Sequence, residues 1–314
     1  MTAVLVRGTQ RNPEEGDTHM KKHFRWLAVL LAIAMVAAAC GDDGDSSEES
    51  GGEESTESGE TGGDDGGEEA VEQTQGGDLT FHIITHSDDG PFWSVVKRGV
   101  DAAAADLGVT AVWRPGVNDA NVMVQDIEAA VGEGTDGIGA SLPDPAALVG
   151  PLQDAVANGI PVITLNSGSN DYQEIGALTH VGQTEFVAGQ GAGNRLNAAG
   201  ATKALCAFQE QGNVGLTERC EGLADTFNGE VVAEFMGLDA DTAEQQNTIN
   251  ATLAADPDID AILGVGPVIA MSALRASDAI GREAIIGGFD ITPDIIDAIE
   301  AGDVSFTVDQ QQYL

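Results

Sequence analysis

Residues 159–168 read Gly-Ile-Pro-Val-Ile-Thr-Leu-Asn-Ser-Gly, and their centre, Val162–Leu165, is an unbroken run of apolar and β-branched positions. Headed by Pro161 and closed by Asn166, Ser167 and Gly168, it predicts a strand buried on both faces, as in a parallel sheet covered by helices. Similar runs recur at 79–85, 110–113 and 137–140, and again at 203–208, 231–235, 261–265, 284–288 and 304–308. Between them lie stretches with apolar positions at helical spacing: 92–107, 121–131 and 146–157, then 184–198, 216–228, 242–254, 267–276 and 293–301. Strands alternating with helices imply parallel sheets joined by right-handed crossovers. A break near His180 divides the alternation into two runs, which predicts an α/β protein of two doubly wound, Rossmann-like lobes. In such sheets ligands bind beyond the carboxyl ends of the strands. Polar residues just past a strand are therefore the candidates for chemistry.

The region before residue 79 has a different character. Residues 1–19 show no periodicity, and Met20 reads as a start because Lys21, Lys22 and Arg25 precede the apolar stretch 26–39. That is the pattern of a signal peptide spanning 20–39, too short to cross a bilayer comfortably. It ends in Ala37-Ala38-Ala39-Cys40-Gly41, which resembles the lipobox of bacterial lipoproteins, with Ala37 where Leu is usual. Cys40 is the expected lipid anchor, and plain secretion is the alternative. Residues 41–78 hold 15 acidic residues, no Lys or Arg, and no aromatic. Such a composition cannot bury enough apolar area to offset its ordering entropy, so a disordered tether is expected. At this length it would span about 35 Å root-mean-square.

Net charge is -39 in 314 residues, and the part from 79 onward carries 34 acids against 8 bases. Phosphate would be repelled, which excludes nucleic acid as a partner. In an exported chain, Cys206 and Cys220 read as a disulfide, with free cytosolic thiols as the alternative. Signals for catalysis or cofactors are missing. Gly189-Gln-Gly191-Ala-Gly193 lacks the third glycine of a dinucleotide loop and falls inside a predicted helix, where small residues permit close helix packing. No Gly-x-Ser-x-Gly elbow occurs. His82 and His86 flank a strand without a metal-ligand pattern and read as core or surface residues. Asp239, Asp241, Asp256, Asp258 and Asp260 lack the spacing of a calcium loop.

With export, tether and two α/β lobes in place, residues 79–314 resemble the ribose-type (type 1) periplasmic binding proteins of sugar ABC importers. The motifs that carry the resemblance are Gly90-Pro91-Phe92-Trp93, residues 159–165, Glu218-Arg219-Cys220-Glu221-Gly222, Gly287-Gly288-Phe289-Asp290 and Thr307-Val308-Asp309-Gln310. The resemblance implies two lobes joined by hinge strands, 79–180 and 181–309, closing on a ligand, with residues 310–314 at a crossing. Family members continue beyond this point with a further helix and strand, so the first lobe is expected to be incomplete and the chain truncated.

The implied site is built from Phe92 and Trp93, which could stack on a sugar ring, with Asn166, Arg219, Asp290 and Gln310 as polar contacts. Asp89 and Ser141 sit at strand ends as further members. One of the aromatic pair could instead be core, and Arg219 and Asp290 could form a structural ion pair. Ribose binders carry Asp-Arg where this chain has Asn166-Ser167, asparagines near Gly90, Leu142 and Gly266, and an aromatic near Ala240. These departures point to a different neutral sugar or a polyol. The implied function is a monomeric, non-enzymatic, extracytoplasmic solute carrier that delivers its ligand to a membrane permease. A sensor presenting a ligand to a membrane receptor is the alternative.

Overall fold

The computed structural model describes residues 76–88 and 90–314. The expected signal peptide, Cys40, the acidic stretch to residue 75 and Asp89 lie outside the described residues.

The first lobe is built on β1 (Thr80–Thr85), β2 (Thr110–Pro115), β3 (Gly137–Ser141), β4 (Val162–Leu165) and β5 (His180–Val181). All pair in parallel, in the order β2-β1-β3-β4-β5. Helices α1 (Gly90–Leu107), α2 (Ala120–Gly132), α3 (Pro145–Ala157) and the single turn α4 (Tyr172–Ile175) connect them. The second lobe holds β6 (Lys203–Phe208), β7 (Glu230–Phe235), β8 (Ala261–Gly264), β9 (Ile285–Phe289) and β10 (Phe306–Val308), in the order β7-β6-β8-β9-β10. Its helices are α5 (Glu185–Ala199), α6 (Val214–Thr226), α7 (Thr242–Ala255), α8 (Pro267–Ala279) and α9 (Pro293–Ala301). Both lobes therefore have the same doubly wound topology, as the alternation predicts. The sequence pattern missed α4 and β5, because elements of four and two residues are too short to display a period. Through β5 the first sheet extends to Val181.

Local chemistry sets many of the boundaries. Asp119, Asp144, Asp241 and Thr292 cap α2, α3, α7 and α9 by accepting from backbone N–H groups of the first turn, and Pro sits at the start of α3, α8 and α9. Gly200 and Gly302 end α5 and α9 in the left-handed conformation. Two glycines of the apparent dinucleotide motif, Gly189 and Gly193, serve packing instead. A Cβ on Gly189 would lie 2.2 Å from the Arg219 carbonyl oxygen, and one on Gly222 would lie 2.0 Å from that of Phe186. Only glycine lets α5 and α6 approach this closely, whereas Gly191, the middle glycine of the motif, faces open space.

The second sheet is buried on both faces. Leu205, Ile262 and Ile286 pack with Ile249, Leu253 and Ile269 on one side. Ala204, Cys206 and Leu263 pack with Leu196, Leu216 and Leu223 on the other. The first sheet has one buried core, around Ile84, Met123, Ile127, Ile138, Leu148 and Leu152. Here the expectation for β4 needs correction: Val162 and Thr164 are buried, but Ile163 and Leu165 are only half-buried. They face a groove beside Val96 and Val100 of α1. The chain returns to the first lobe after β10. The Tyr313 carbonyl oxygen lies 2.5 Å from where a Cβ on Gly99 would stand.

Candidate functional site

In each sheet the strand order reverses at the first strand of the lobe, so the crevice for a ligand opens beyond β1 in one lobe and β6 in the other. The residues that follow those strands, His86 and the pair Gln209-Glu210, line the same narrow cleft.

On the second lobe the polar side chains form one network. Arg219, on α6, is 3% exposed and grips Glu185 at the start of α5 through Nε (2.5 Å) and Nη2 (2.9 Å). Nη1 donates to the Val265 carbonyl at 2.6 Å and Nη2 to Gln310 Oε1 at 2.9 Å, so four of the five N–H groups are engaged. The guanidinium also lies 4.4 Å over the Phe289 ring. Gln310 passes the network on, donating from Nε2 to Asp290 Oδ1 at 2.7 Å, and Gln312 donates to the same oxygen at 2.7 Å. Burial pushes the Asp290 carboxyl up to about 7, although Arg219 and the Gln310 amide pull it down. The disulfide Cys206–Cys220, Cα atoms 5.7 Å apart, ties α6 to β6 directly beside Arg219.

Asp290 and Asn166 hold equivalent places. Each follows the fourth strand of its lobe in chain order, with φ of 70° and 59° respectively, and its N–H donates to the adjoining last strand, at Val308 and Val181. Asp and Asn are the non-glycine residues that tolerate this left-handed backbone best.

The first lobe contributes aromatic and neutral groups. Trp93 is buried, with its ring edge-on to His86 (4.9 Å between centroids) and Phe92 (4.8 Å). Phe92 is half-buried and borders both the cleft and the groove behind it. Ser141 Oγ accepts from the His86 backbone N–H at 2.8 Å and lies 3.0 Å from His86 Nδ1. If that hydroxyl donates to Nδ1, Nε2 carries the proton and faces Glu210 Oε2, 3.3 Å away on the other lobe. Burial alone would raise the Glu210 carboxyl, but His86, the Asn213 amide and the more distant Arg219 hold it at about 2. Further bonds cross the cleft: Val214 N–H to the Pro143 carbonyl at 3.0 Å, Asn170 Nδ2 to Glu218 Oε1 at 2.6 Å, and Ser167 Oγ to Asn213 Oδ1 at 3.2 Å, while Asn213 Nδ2 lies 3.4 Å from His86 Nε2.

Of the residues singled out from sequence, Phe92, Trp93, Asn166, Arg219, Asp290 and Gln310 line one cleft. Ser141 does not border it; its hydroxyl is spent on orienting His86. Arg219 is paired with Glu185, not with Asp290, which corrects the ion pair weighed from sequence. His86 is neither an inert core nor a surface histidine, since it meets the opposite lobe. Glu185, His86, Gln209, Glu210 and Asn213 were not singled out as site members. Applying the strand-end rule to β1 and β6 would have found His86, Gln209 and Glu210. Nothing local marks Glu185.

A sequence profile described as periplasmic binding protein domain matches residues 81–314. The crystal structure of a carbohydrate transporter from Acidothermus cellulolyticus in complex with myo-inositol is 38% identical, with a TM-score of 0.72, covering 75% of this chain and 82% of that one. The ribose import binding protein of Haemophilus influenzae is 29% identical over 255 residues, covering 78% of this chain and 84% of the relative. The xylose/arabinose-binding protein of Sulfolobus acidocaldarius is 28% identical over 249 residues, covering 74% of this chain. The chain spans 62% of that relative's length.

Proposed function

The chain belongs to the periplasmic binding protein domain family, and from that premise we propose that it is the extracytoplasmic solute-binding protein of a sugar-type ABC importer, taking a small neutral polyol or sugar between its lobes. The observation that carries the reading is the meeting, in one cleft, of Phe92 and Trp93 from the first lobe with Asp290 and the Arg219–Gln310 network from the second. Aromatic faces suit the C–H surface of a ring, and a carboxylate accepts its hydroxyls.

Charge narrows the class. Arg219 is neutralised by Glu185, while Glu210, Asp239 and Asp290 also border the cleft. A sugar acid or sugar phosphate would be repelled. The ligand stabilises the closed lobes by binding both, and a membrane permease reads that form, a population shift driven by differential affinity. The chain is a carrier and not a catalyst. Residues 79–181 and 182–309 act as the two lobes, Val181 falling with the first because β5 pairs with β4, with 310–314 at a crossing, Cys40 carries the lipid, and 41–78 is the tether. Relatives named for import and transport favour delivery to a permease over sensing.

Calorimetric titration with myo-inositol, other polyols, pentoses and hexoses, paired with X-ray scattering, tests this. The expected result is binding of a neutral polyol or sugar other than ribose, with compaction on binding. Ribose as the sole micromolar ligand, or no compaction with any of the panel, would sink it.

A further inference from the structure

We infer that Gln209 is a specificity-determining contact of this cleft, its side-chain carbonyl accepting a hydroxyl of the bound molecule. The inference rests on the polyol or sugar reading and adds to it a residue that no motif marks. Gln209 directly follows β6 at the reversal point of the second sheet, is 8% exposed, and borders the cleft. Its Oε1 is buried without a hydrogen-bond partner.

The neighbours show why this is unusual. Gln310 is engaged at both ends of its amide. Asn213 Oδ1 accepts from Gly215 N–H at 3.0 Å, and its Nδ2 donates to Glu210 at 2.6 Å. The side-chain carbonyls of Asn166, Asn213 and Gln310 each accept from a protein donor and that of Gln209 does not, and a buried acceptor without a donor is unfavourable unless something supplies an O–H or N–H. Water can do so in the empty cleft, and a ligand hydroxyl can replace it.

A second observation concerns Gly266, at the start of α8. Its φ of -157° is extended backbone that any residue adopts, so the glycine is not required for conformation. A Cβ there would meet Gln209 Nε2 at 2.9 Å. The missing side chain makes room for the Gln209 amide, which fixes where its carbonyl sits.

The test is calorimetry on the parent, Gln209→Leu and Gly266→Ala with myo-inositol and its monodeoxy analogues, alongside thermal unfolding of the ligand-free proteins. Gln209→Leu is expected to bind myo-inositol roughly tenfold to hundredfold more weakly, with the ligand-free midpoint unchanged or raised because the orphan acceptor is gone. One monodeoxy analogue should bind parent and Gln209→Leu equally. Gly266→Ala should weaken myo-inositol binding in the same direction, and it carries the test if Gln209→Leu does not fold. Equal myo-inositol affinity in the parent and a folded variant would overturn the inference alone. A parent that binds no polyol and no sugar would overturn the functional reading, and this inference with it.

Discussion

The two lobes share a topology but differ in how their sheets and arginines are buried. The second sheet has a buried core on each face, whereas the first has one, and its other face leaves Ile163 and Leu165 half-exposed to a groove. Each lobe also holds one arginine that forks onto a glutamate. Arg114 Nη2 donates to both Glu133 oxygens at 2.7 and 2.8 Å, but the two side chains are 25% and 53% exposed. In the Arg219–Glu185 pair they are 4% and 2% exposed. The same kind of charge pair at different depth has different consequences. The exposed fork trades water for carboxylate at little gain, while the buried one cannot lose a partner without leaving a bare charge in the interior. Under the proposed function, the second lobe supplies a pre-wired wall and the first lobe the face opposite it.

The comparison breaks most sharply at Glu185. Glu185→Ala should lower unfolding free energy by about 3–5 kcal/mol, read by urea denaturation, because Arg219 is then buried and unpaired. A loss under about 1 kcal/mol would mean that water reaches the guanidinium. The double replacement Glu185→Leu with Arg219→Met should restore most of that stability yet leave ligand affinity low. That outcome would separate the pair's role in the fold from its role in holding Gln310 and Asp290.

Next in size is the disulfide. Cys220→Ser should cost about 3 kcal/mol by the chain-entropy account, and should also weaken ligand binding, since Cys220 adjoins Arg219. A folded variant with parental affinity would refute the second half.

Asp290→Asn is expected to reduce affinity for the carbohydrate ligand by roughly tenfold to hundredfold, measured by calorimetry. It should also change the pH profile. With its folded value raised to about 7, this group contributes stability that is fully present below its unfolded value, about 3.9, and lost as pH rises towards 7. The difference in urea midpoint between parent and variant should therefore vary between about pH 4 and pH 7, and a flat difference would contradict the buried carboxyl. Glu210 works in the opposite sense: held at about 2, its contribution is present above the ordinary glutamate value and fades as pH falls towards 2. Smallest of all, Arg114→Ala should move the midpoint by a small fraction of the Glu185→Ala shift. A comparable loss would erase the distinction between the two forks.

Much of this molecule is legible in its sequence because the signals are local. Strand and helix alternate with their own periods, Asp and Thr mark helix starts, and side chains just past β4, β9 and β10 fall at the cleft because a doubly wound sheet puts its strand ends there. That is why the strand-end rule agrees with the family resemblance at Asn166, Asp290 and Gln310. What those residues touch could not. The Arg219 fork closes on a glutamate 34 positions away and reaches Gln310 across 91, and Asn213 meets His86 across 127. Such pairings leave no periodic or short-range trace. They depend on which helix packs on which face and on glycines that let α5 and α6 nearly touch. Tertiary structure alone decided that Ser141 serves a histidine, that Arg219 is neutralised, and that Gln209 keeps an unclaimed acceptor, because burial and pairing arise only when distant segments share one interior.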